Sequence, residues 1–317
     1  MLTAALTTLT RYATWWLAGG VLVGLAVPPL AELVRPLLVP IIFANLILAL
    51  LRLEFADILG YLRRPVLIGL FVAVSLIVCP IAMWGVTGWL GLPAGLAMGL
   101  VLMAAAPPIT SAPSFALIMG LDAAFSIACV VVSHLLVPLT LPLMALWLLD
   151  LELDISLGEF MLRLAVLIGV SFAIAFALKR WVLSPERLRR SKGAIDAVAV
   201  VCLVVFAIAI MDGVTDFLFA KPALVALTVV CAFAANALLQ LLGAGLFLKS
   251  GRQIGFTAGH MLGNCNMGLI IAVLADRADF AVIAFFALAQ LPMYMLPLVA
   301  VPAYKRLLAS PGSDPGV

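Results

Sequence analysis

The chain has 317 residues, of which 66% are apolar and 10% are charged, and its mean hydropathy is +1.29. An average soluble domain is roughly 45–50% apolar and about 25% charged, so this sequence has too few charges to cover a surface that faces water. It predicts an integral membrane protein and excludes a cytosolic enzyme, a nucleic-acid-binding protein and a secreted disulfide scaffold. The five cysteines lie in apolar stretches without metal-ligand spacing, and we expect them to be small buried apolar residues.

Apolar runs of membrane-spanning length recur along the whole chain. A bilayer core of about 30 Å needs roughly 20 apolar residues per helix. Runs of that kind predict ten spans, at about 13–31, 36–53, 65–88, 93–119, 122–147, 158–179, 193–211, 221–247, 253–275 and 279–304. The first run follows Arg11 like the apolar core of a signal peptide, but further spans follow it, and we interpret it as the first helix.

The positions of Lys and Arg predict the orientation of these spans. If the N-terminus is inside, 14 of the 18 basic residues fall in inside segments, including the basic stretch 179–192, which we interpret as a cytoplasmic loop. The acidic stretch 150–159 then falls outside. An even number of spans with both termini cytoplasmic, in the cytoplasmic (inner) membrane, fits this alternation. The small, polar tail 310–317 is expected to be disordered.

An internal repeat divides the spans into two sets of five. We predict a first unit at 1–157 and a second, inverted unit at 158–309, integrated into one transmembrane domain, because the odd number of spans reverses the second unit in the membrane. A shift of 155 residues aligns the Leu-Pro-Leu sequences at 141–143 and 296–298. The same shift places Ser111 on Asn266 and Pro108 on Gly263.

The fourth and ninth spans both contain residues that interrupt a helix. The fourth carries Pro107, Pro108 and Pro113, which remove backbone donors. The ninth carries Gly263 and Gly268 around two asparagines. Irregular backbone inside a membrane needs protein or a water-filled cavity to satisfy it, so this matched pair predicts a substrate site near the midplane. The alternative is that the prolines merely kink one helix and the asparagines bridge its neighbours.

Three segments resemble the bile acid:sodium symporter superfamily: APPITSAPSFALIMGLDAAFS (106–126), SHLLVP (133–138) and GNCNMGL (263–269). The resemblance covers essentially the whole chain. It implies an all-α polytopic fold of ten helices, arranged as a five-plus-five inverted repeat with broken helices 4 and 9 that cross near the midplane. It also implies that most of helices 1, 2, 6 and 7 form a panel against the remaining core, with an organic anion bound beside the crossover and Na⁺ as coupling ion.

Polar residues near the two breaks are the candidates for binding substrate or an ion. They are Thr110, Ser111, Ser114, Ser126, Ser133, His260, Asn264, Asn266 and Gln290. His260 either couples a proton or meets an anionic substrate, or it is a neutral imidazole that bonds a neighbouring helix, whereas we assign His134 to packing. No Asp or Glu lies in either broken helix, so coupling to Na⁺, to H⁺ or to neither stays open.

The sequence therefore favours a secondary active transporter of a small organic, anionic solute, working by alternating access. A facilitator or channel-like pore without ion coupling is the second class. An intramembrane enzyme that uses Ser171 is a remote third, since no established protease motif accompanies that serine. We expect no enzyme activity, no resident cofactor or metal, and no nucleic-acid partner; the partners are the solute and the lipid bilayer.

Overall fold

The computed structural model describes residues 8–10, 12–52, 60–61, 64–149, 156–274 and 278–309. The elements within these ranges are helices. In chain order they are α1 (Ala13–Ala26), α2 (Pro28–Arg52), α3 (Pro65–Trp89), α4 (Ala94–Ala105), α5 (Ala112–Met119), α6 (Ala123–Leu149), α7 (Leu157–Val182), α8 (Pro185–Ala209), α9 (Val214–Ala220), α10 (Pro222–Phe247), α11 (Arg252–Gly263), α12 (Gly268–Leu274), α13 (Phe280–Leu288) and α14 (Gln290–Ala309). The predicted disordered tail 310–317 and most of the acidic stretch lie outside the described residues.

The helices confirm an all-α polytopic membrane protein. Within the described residues, seven stretches are long and apolar enough to cross a bilayer: α2, α3, α6, α7, α8 with α9, α10, and α13 with the start of α14. Large apolar side chains such as Val66, Trp89 and Trp147 project outward, which a lipid solvent favours and water does not. Every predicted span contains helix, but α1 is short and the fourth and ninth spans are interrupted, so the ten-span count stays a prediction.

Two boundaries differ from the sequence prediction. The first helix ends at Ala26 and the second begins at Pro28, whereas we placed the gap at about residues 32–35. Proline suits the first turn of a helix because it has no N–H to leave unpaired, and Pro28 therefore starts α2. The Arg35–Leu37 segment is a tight 3₁₀ turn through which the helix continues.

The basic stretch 179–192 is largely helical. α7 runs to Val182, and α8 begins at Pro185, eight residues before the predicted start of its span. The Ser184 hydroxyl caps α8 by accepting a hydrogen bond from the backbone N–H of Arg187 at 3.2 Å. Pro185 and Glu186 complete a favourable first turn, a start signal that the sequence analysis did not use.

The helices pack in two groups that meet at the broken helices. In one group α8 contacts α1 and α2, and α2 also contacts α7. In the other, α10 lies along α11, α4 contacts α3 and α13, and α6 contacts α3 and α4. The first group contains the helices of the implied panel. Contacts of α7 with α6 and of α1 with α14 join the two groups.

Candidate functional site

The breaks between α4 and α5 and between α11 and α12 pair with each other through their backbones. The N–H of Ile109 donates to the carbonyl of Asn264 at 2.9 Å, and the N–H of Asn266 donates to the carbonyl of Pro107 at 2.7 Å. Pro108 and Cys265 face each other between these bonds as an antiparallel bridge. Each break thus satisfies backbone groups that the other leaves open, which is what irregular backbone in a membrane requires.

A chain of polar side chains, which begins at the buried Asn236 and continues through the half-buried Gln240 and Tyr304, supports the second break. The Asn236 amide, on α10, donates to the carbonyl of Gly263 at 2.6 Å. The Gln240 amide donates to Oδ1 of Asn236 at 2.6 Å, and the Tyr304 hydroxyl donates to Oε1 of Gln240 at 3.1 Å. Asn236 and Gln240 therefore join helices, as polar side chains inside membrane spans often do.

A cavity of about 450 Å³ lies against the two breaks. Its walls come mainly from α1, α2, α8, the two broken helices and α14. Most of the lining is apolar, and its polar residues include Thr110, Ser111, Ser114 and Asn266 at or beside the breaks, Gln290 at the start of α14 and Asn45 on α2. An apolar cavity of this size with a few convergent polar groups is typical of a small-molecule site.

The cavity thus brings together five of the nine sequence candidates. Thr110, Ser111, Ser114 and Asn266 are half-buried, while Gln290 is buried and its amide donates to the carbonyl of Phe286 at 3.0 Å. Gly268 also lines the cavity. A Cβ at this position would lie 3.3 Å from Oδ1 of Asn266, so a larger residue would require a small shift of that side chain.

The remaining four candidates do not line the cavity. Ser126, Ser133, His260 and Asn264 are each at most 1% exposed. The hydroxyls of Ser126 and Ser133 have no hydrogen-bond partner among the described residues. The two serines are seven residues apart on α6, about 10 Å along the helix axis, so their hydroxyls cannot share one cation.

His260 is packed inside the protein behind the break. Its Nδ1 lies 3.2 Å from Nδ2 of Asn264, which also donates to the carbonyl of His260 at 2.8 Å. The ring packs against Phe115 with centroids 5.7 Å apart. Because Nδ1 faces an amide donor, the neutral ring carries its proton on Nε2, and Nε2 has no partner among the described residues.

His134, which the sequence assigned to packing alone, contacts the site directly. Its Nδ1 bonds the carbonyl of Val130 at 2.8 Å, and its Nε2 lies 3.3 Å from Nδ2 of Asn266. Since Nδ1 donates to a carbonyl, Nε2 is the acceptor for the Asn266 amide. In the sequence, the only feature that marks His134 as a functional candidate is its position inside a predicted span.

The cavity also contains a charged pair that is not among the residues predicted from the sequence. Nε of Arg52, at the end of α2, lies 3.0 Å from Oδ1 of Asp196 on α8, and both residues line the cavity. Asp196 falls inside the predicted span 193–211, and an ionisable residue within a span is a functional candidate by default; that signal was present in the sequence.

Ser171 and the five cysteines lie outside the polar groups of the cavity or are packed among apolar residues. Ser171 is buried, and its hydroxyl donates to the carbonyl of Leu167 in its own helix at 2.7 Å. All five cysteines are free; Cys79, Cys129 and Cys265 are buried and the other two are half-buried. Within the described residues no cluster of His, Cys, Asp or Glu could hold a metal ion.

Fold and cavity together define a multi-pass membrane transporter. Residues 39–221, more than half of the chain, match the Sodium Bile acid symporter family. The chain belongs to that family, a family of transporters, which agrees with the resemblance found in the sequence. The matched region runs from α2 to the residue before α10 and includes the first break, whereas the second break lies beyond it. No curated protein sequence matches the chain.

Proposed function

We propose that the protein is a secondary active transporter that carries an organic anion across the cytoplasmic membrane by alternating access. The observation that carries this proposal is the cavity against two backbone-paired helix breaks. Backbone at a break can offer N–H and carbonyl groups to a solute while the pairing keeps the position of the site fixed. The panel of α1, α2, α7 and α8 would move against the broken helices to expose the cavity to either side.

The arrangement of helix starts supports ten spans in a five-plus-five inverted repeat, with units at 1–157 and 158–309. Three pairs of helices begin 157 residues apart: at Pro28 and Pro185, at Pro65 and Pro222, and at Ala123 and Phe280. The bridged residues Pro108 and Cys265 have the same offset. This offset converts each of the two hydrogen bonds between the breaks into the other, as a two-fold axis requires. The shift of 155 found in the sequence differs from this offset by two residues.

The distribution of basic residues supports cytoplasmic termini. With that orientation, the ends of α2 and α8 that carry Arg52 and Asp196 lie on the cytoplasmic side. The cavity would therefore be open inward in this structure. Thr110, Ser111, Ser114, Asn266 and Gln290 would bind the solute, and His134 would orient the Asn266 amide.

The family supports Na⁺ as the coupling ion. Na⁺ prefers oxygen ligands, and the unpaired hydroxyls of Ser126 and Ser133 are oxygens that a cation could use, at two separate places. The described residues of α4, α5, α11 and α12 include no Asp or Glu. We therefore treat Na⁺ coupling as the first hypothesis, with H⁺ coupling through His260 and uncoupled facilitation as alternatives that the same experiment separates.

The test is uptake into proteoliposomes of radiolabelled cholate, taurocholate and valerate under an imposed Na⁺ gradient, an imposed pH gradient, or neither. A transporter gives saturable uptake and counterflow, and Na⁺ coupling gives accumulation only with the Na⁺ gradient. A channel-like pore gives flux without counterflow. Absence of uptake of all three anions would overturn the proposal.

Three variants assign the residues. Asn266→Ala should raise the KM for the transported anion at least three-fold, whereas Ser171→Ala, which alters a buried serine outside the cavity, should leave it unchanged. His260→Ala should abolish uptake driven by a pH gradient only if H⁺ is the coupling ion. A hydrolytic activity that Ser171→Ala removed would favour the intramembrane enzyme instead.

A further inference from the structure

The cavity contains two charged groups among its described lining residues, and they face each other. Arg52 ends α2 and Asp196 lies in the second turn of the membrane part of α8, with Nε of Arg52 3.0 Å from Oδ1 of Asp196. Their side chains are 20% and 31% exposed. A pair this sheltered is poorly screened by salt, so its arrangement affects any ion that enters the cavity.

The contact uses one edge of the guanidinium and leaves the other open. Oδ1 of Asp196 lies beside Nε as an ion pair without the geometry of a hydrogen bond, and neither Nη1 nor Nη2 of Arg52 bonds a described residue. Both terminal nitrogens also have more than negligible solvent contact, since only Nε is fully enclosed. Two parallel N–H groups on one edge of a guanidinium match a carboxylate, sulfonate or phosphate in bidentate geometry.

The open edge lies at the opposite end of the cavity from the helix breaks. Ile42 marks the break end of α2, because a Cβ placed on Gly268 would lie 3.5 Å from Cγ1 of Ile42. Arg52 is ten residues further along the same helix, about 15 Å at 1.5 Å per residue. The cavity thus has hydroxyl and amide groups at one end, the Arg52–Asp196 ion pair at the other, and mostly apolar walls between them.

We propose that Arg52 binds the anionic group of the solute, and that Asp196 is a positioning residue that holds the guanidinium with its terminal edge toward the cavity. This inference rests on the proposed transport function. It assigns the substrate class as an elongated oxyanion whose charged group lies at Arg52 and whose polar groups reach Thr110, Ser111 and Asn266. A neutral analogue of the same shape would fit the cavity but would not form the bidentate contact with Arg52, so it should bind more weakly.

The experiment compares each anion with its own primary amide. The assay measures uptake of one radiolabelled anion into proteoliposomes in the presence of an unlabelled competitor. Labelled cholate competes with cholate or cholamide, and labelled valerate competes with valerate or valeramide. For the wild-type protein, the inhibition constant of the transported anion should be at least ten-fold lower than that of its amide, and we call this ratio the discrimination. Arg52→Gln should raise the KM for that anion at least ten-fold and reduce the discrimination to about two-fold, and Arg52→Lys, which keeps the charge without the fork, should fall between them.

The Asp196 variants separate positioning from charge. Asp196→Asn keeps a side-chain oxygen beside Nε without the negative charge and should leave the KM at or below the wild-type value. Asp196→Ala removes the side chain beside Nε and should raise the KM about five-fold. If the ion pair only connects α2 with α8, Arg52→Gln would lower the maximal rate for every solute and leave the discrimination between anion and amide unchanged. That result would overturn the proposal.

Arg190→Gln is the matched control. Arg190 is an exposed arginine near the cytoplasmic start of α8 that pairs with Glu186 at 2.8 Å, outside the cavity. Its loss removes one cytoplasmic positive charge, as Arg52→Gln does, and should change neither the KM nor the discrimination. If the wild-type protein transported none of the anions, the proposed function itself would fail, whereas normal uptake with unchanged discrimination in Arg52→Gln would refute only the role of Arg52.

Discussion

Nε2 of His134 accepts a hydrogen bond from Nδ2 of Asn266 across 3.3 Å, which ties the middle of α6 to the break between α11 and α12. The other ring nitrogen is fixed by the carbonyl of Val130 at 2.8 Å, so the ring offers an acceptor and not a donor. The Asn266 amide therefore turns its nitrogen toward α6. Its Oδ1 has no hydrogen-bond partner among the described residues and is left for the cavity that Asn266 lines.

We expect His134→Leu to weaken solute binding by freeing the Asn266 side chain. A hydrogen bond of this kind contributes about 0.5–1.5 kcal/mol, so the KM should rise roughly two- to ten-fold with a smaller change in maximal rate. Thr140→Val is the control, because its hydroxyl bonds only the Leu136 carbonyl of the same helix. A KM that is normal in His134→Leu but raised in Asn266→Ala would show that His134 does not orient the amide.

The second break depends on Asn236 more than on Tyr304. Asn236→Leu leaves the Gly263 carbonyl and the Gln240 amide without their partners, and an unsatisfied buried group costs about 1–3 kcal/mol. Tyr304→Phe removes only the outer donor to Gln240, for which about 0.5–1.5 kcal/mol is expected.

Thermal unfolding in detergent measures this difference with a thiol-reactive dye, since Cys79, Cys129 and Cys265 are buried until the protein opens. The midpoint should fall further for Asn236→Leu than for Tyr304→Phe. The double variant should fall by less than the sum of the two, because both act on one network. Equal, additive shifts would contradict the chain of bonds described above.

The sequence predicted those parts of the fold that depend on residues near each other in the chain. Pro107 and Pro108 remove donors wherever they sit, so the first break could be predicted from spacing alone, and Gly263 and Gly268 predicted the second. The start of α2 was wrong because Pro28 and Pro36 are both compatible with a helix start.

The site was less predictable because its partners are far apart in the sequence. Arg52 and Asp196 are 144 residues apart, and His134 and Asn266 are 132 apart; no local pattern announces either pair. The sequence leaves two roles open for His260, and in the structure its ring packs against Phe115 outside the cavity lining. Thr110, Ser111 and Asn266 line the cavity because they belong to the breaks themselves.

Close approach of α10 and α11 requires glycine at position 259. A Cβ added to Gly259 would lie 2.4 Å from the carbonyl oxygen of Gln240 and 3.0 Å from the backbone nitrogen of Ala244. Backbone atoms cannot move aside cheaply, so Gly259→Ala should destabilise the protein by about 1–3 kcal/mol. Gly245→Ala is the control on α10, since nothing lies within 4 Å of its Cβ, and there alanine should be neutral or slightly stabilising. A melting midpoint for Gly259→Ala equal to that of Gly245→Ala would contradict the close packing.

Asp122 joins three elements at the end of the broken fourth span. Its Oδ1 accepts from the N–H of Phe125 at 2.8 Å and caps α6, its own N–H donates to the Thr257 hydroxyl at 3.0 Å, and its Oδ2 accepts from the Tyr61 hydroxyl. Loss of a helix cap costs about 0.5–2 kcal/mol. Asp122→Ala should therefore lower the melting midpoint, and Asp122→Asn, which can still cap, should lower it less.

The bond from Tyr61 to Asp122 should give stability a defined dependence on alkaline pH. Burial, and then the hydrogen bond to Asp122, raise the pKa of the Tyr61 phenol above its usual value. A raised pKa in the folded state means that the contribution is complete below the unfolded value near 10 and is lost as the pH rises through the folded value. The difference in melting midpoint between wild-type protein and Tyr61→Phe should thus be constant from pH 7 to 9 and shrink above pH 10. Tyr12→Phe, which alters an exposed tyrosine, serves as the control, and a difference that already changed between pH 7 and 9 would show that another group is responsible.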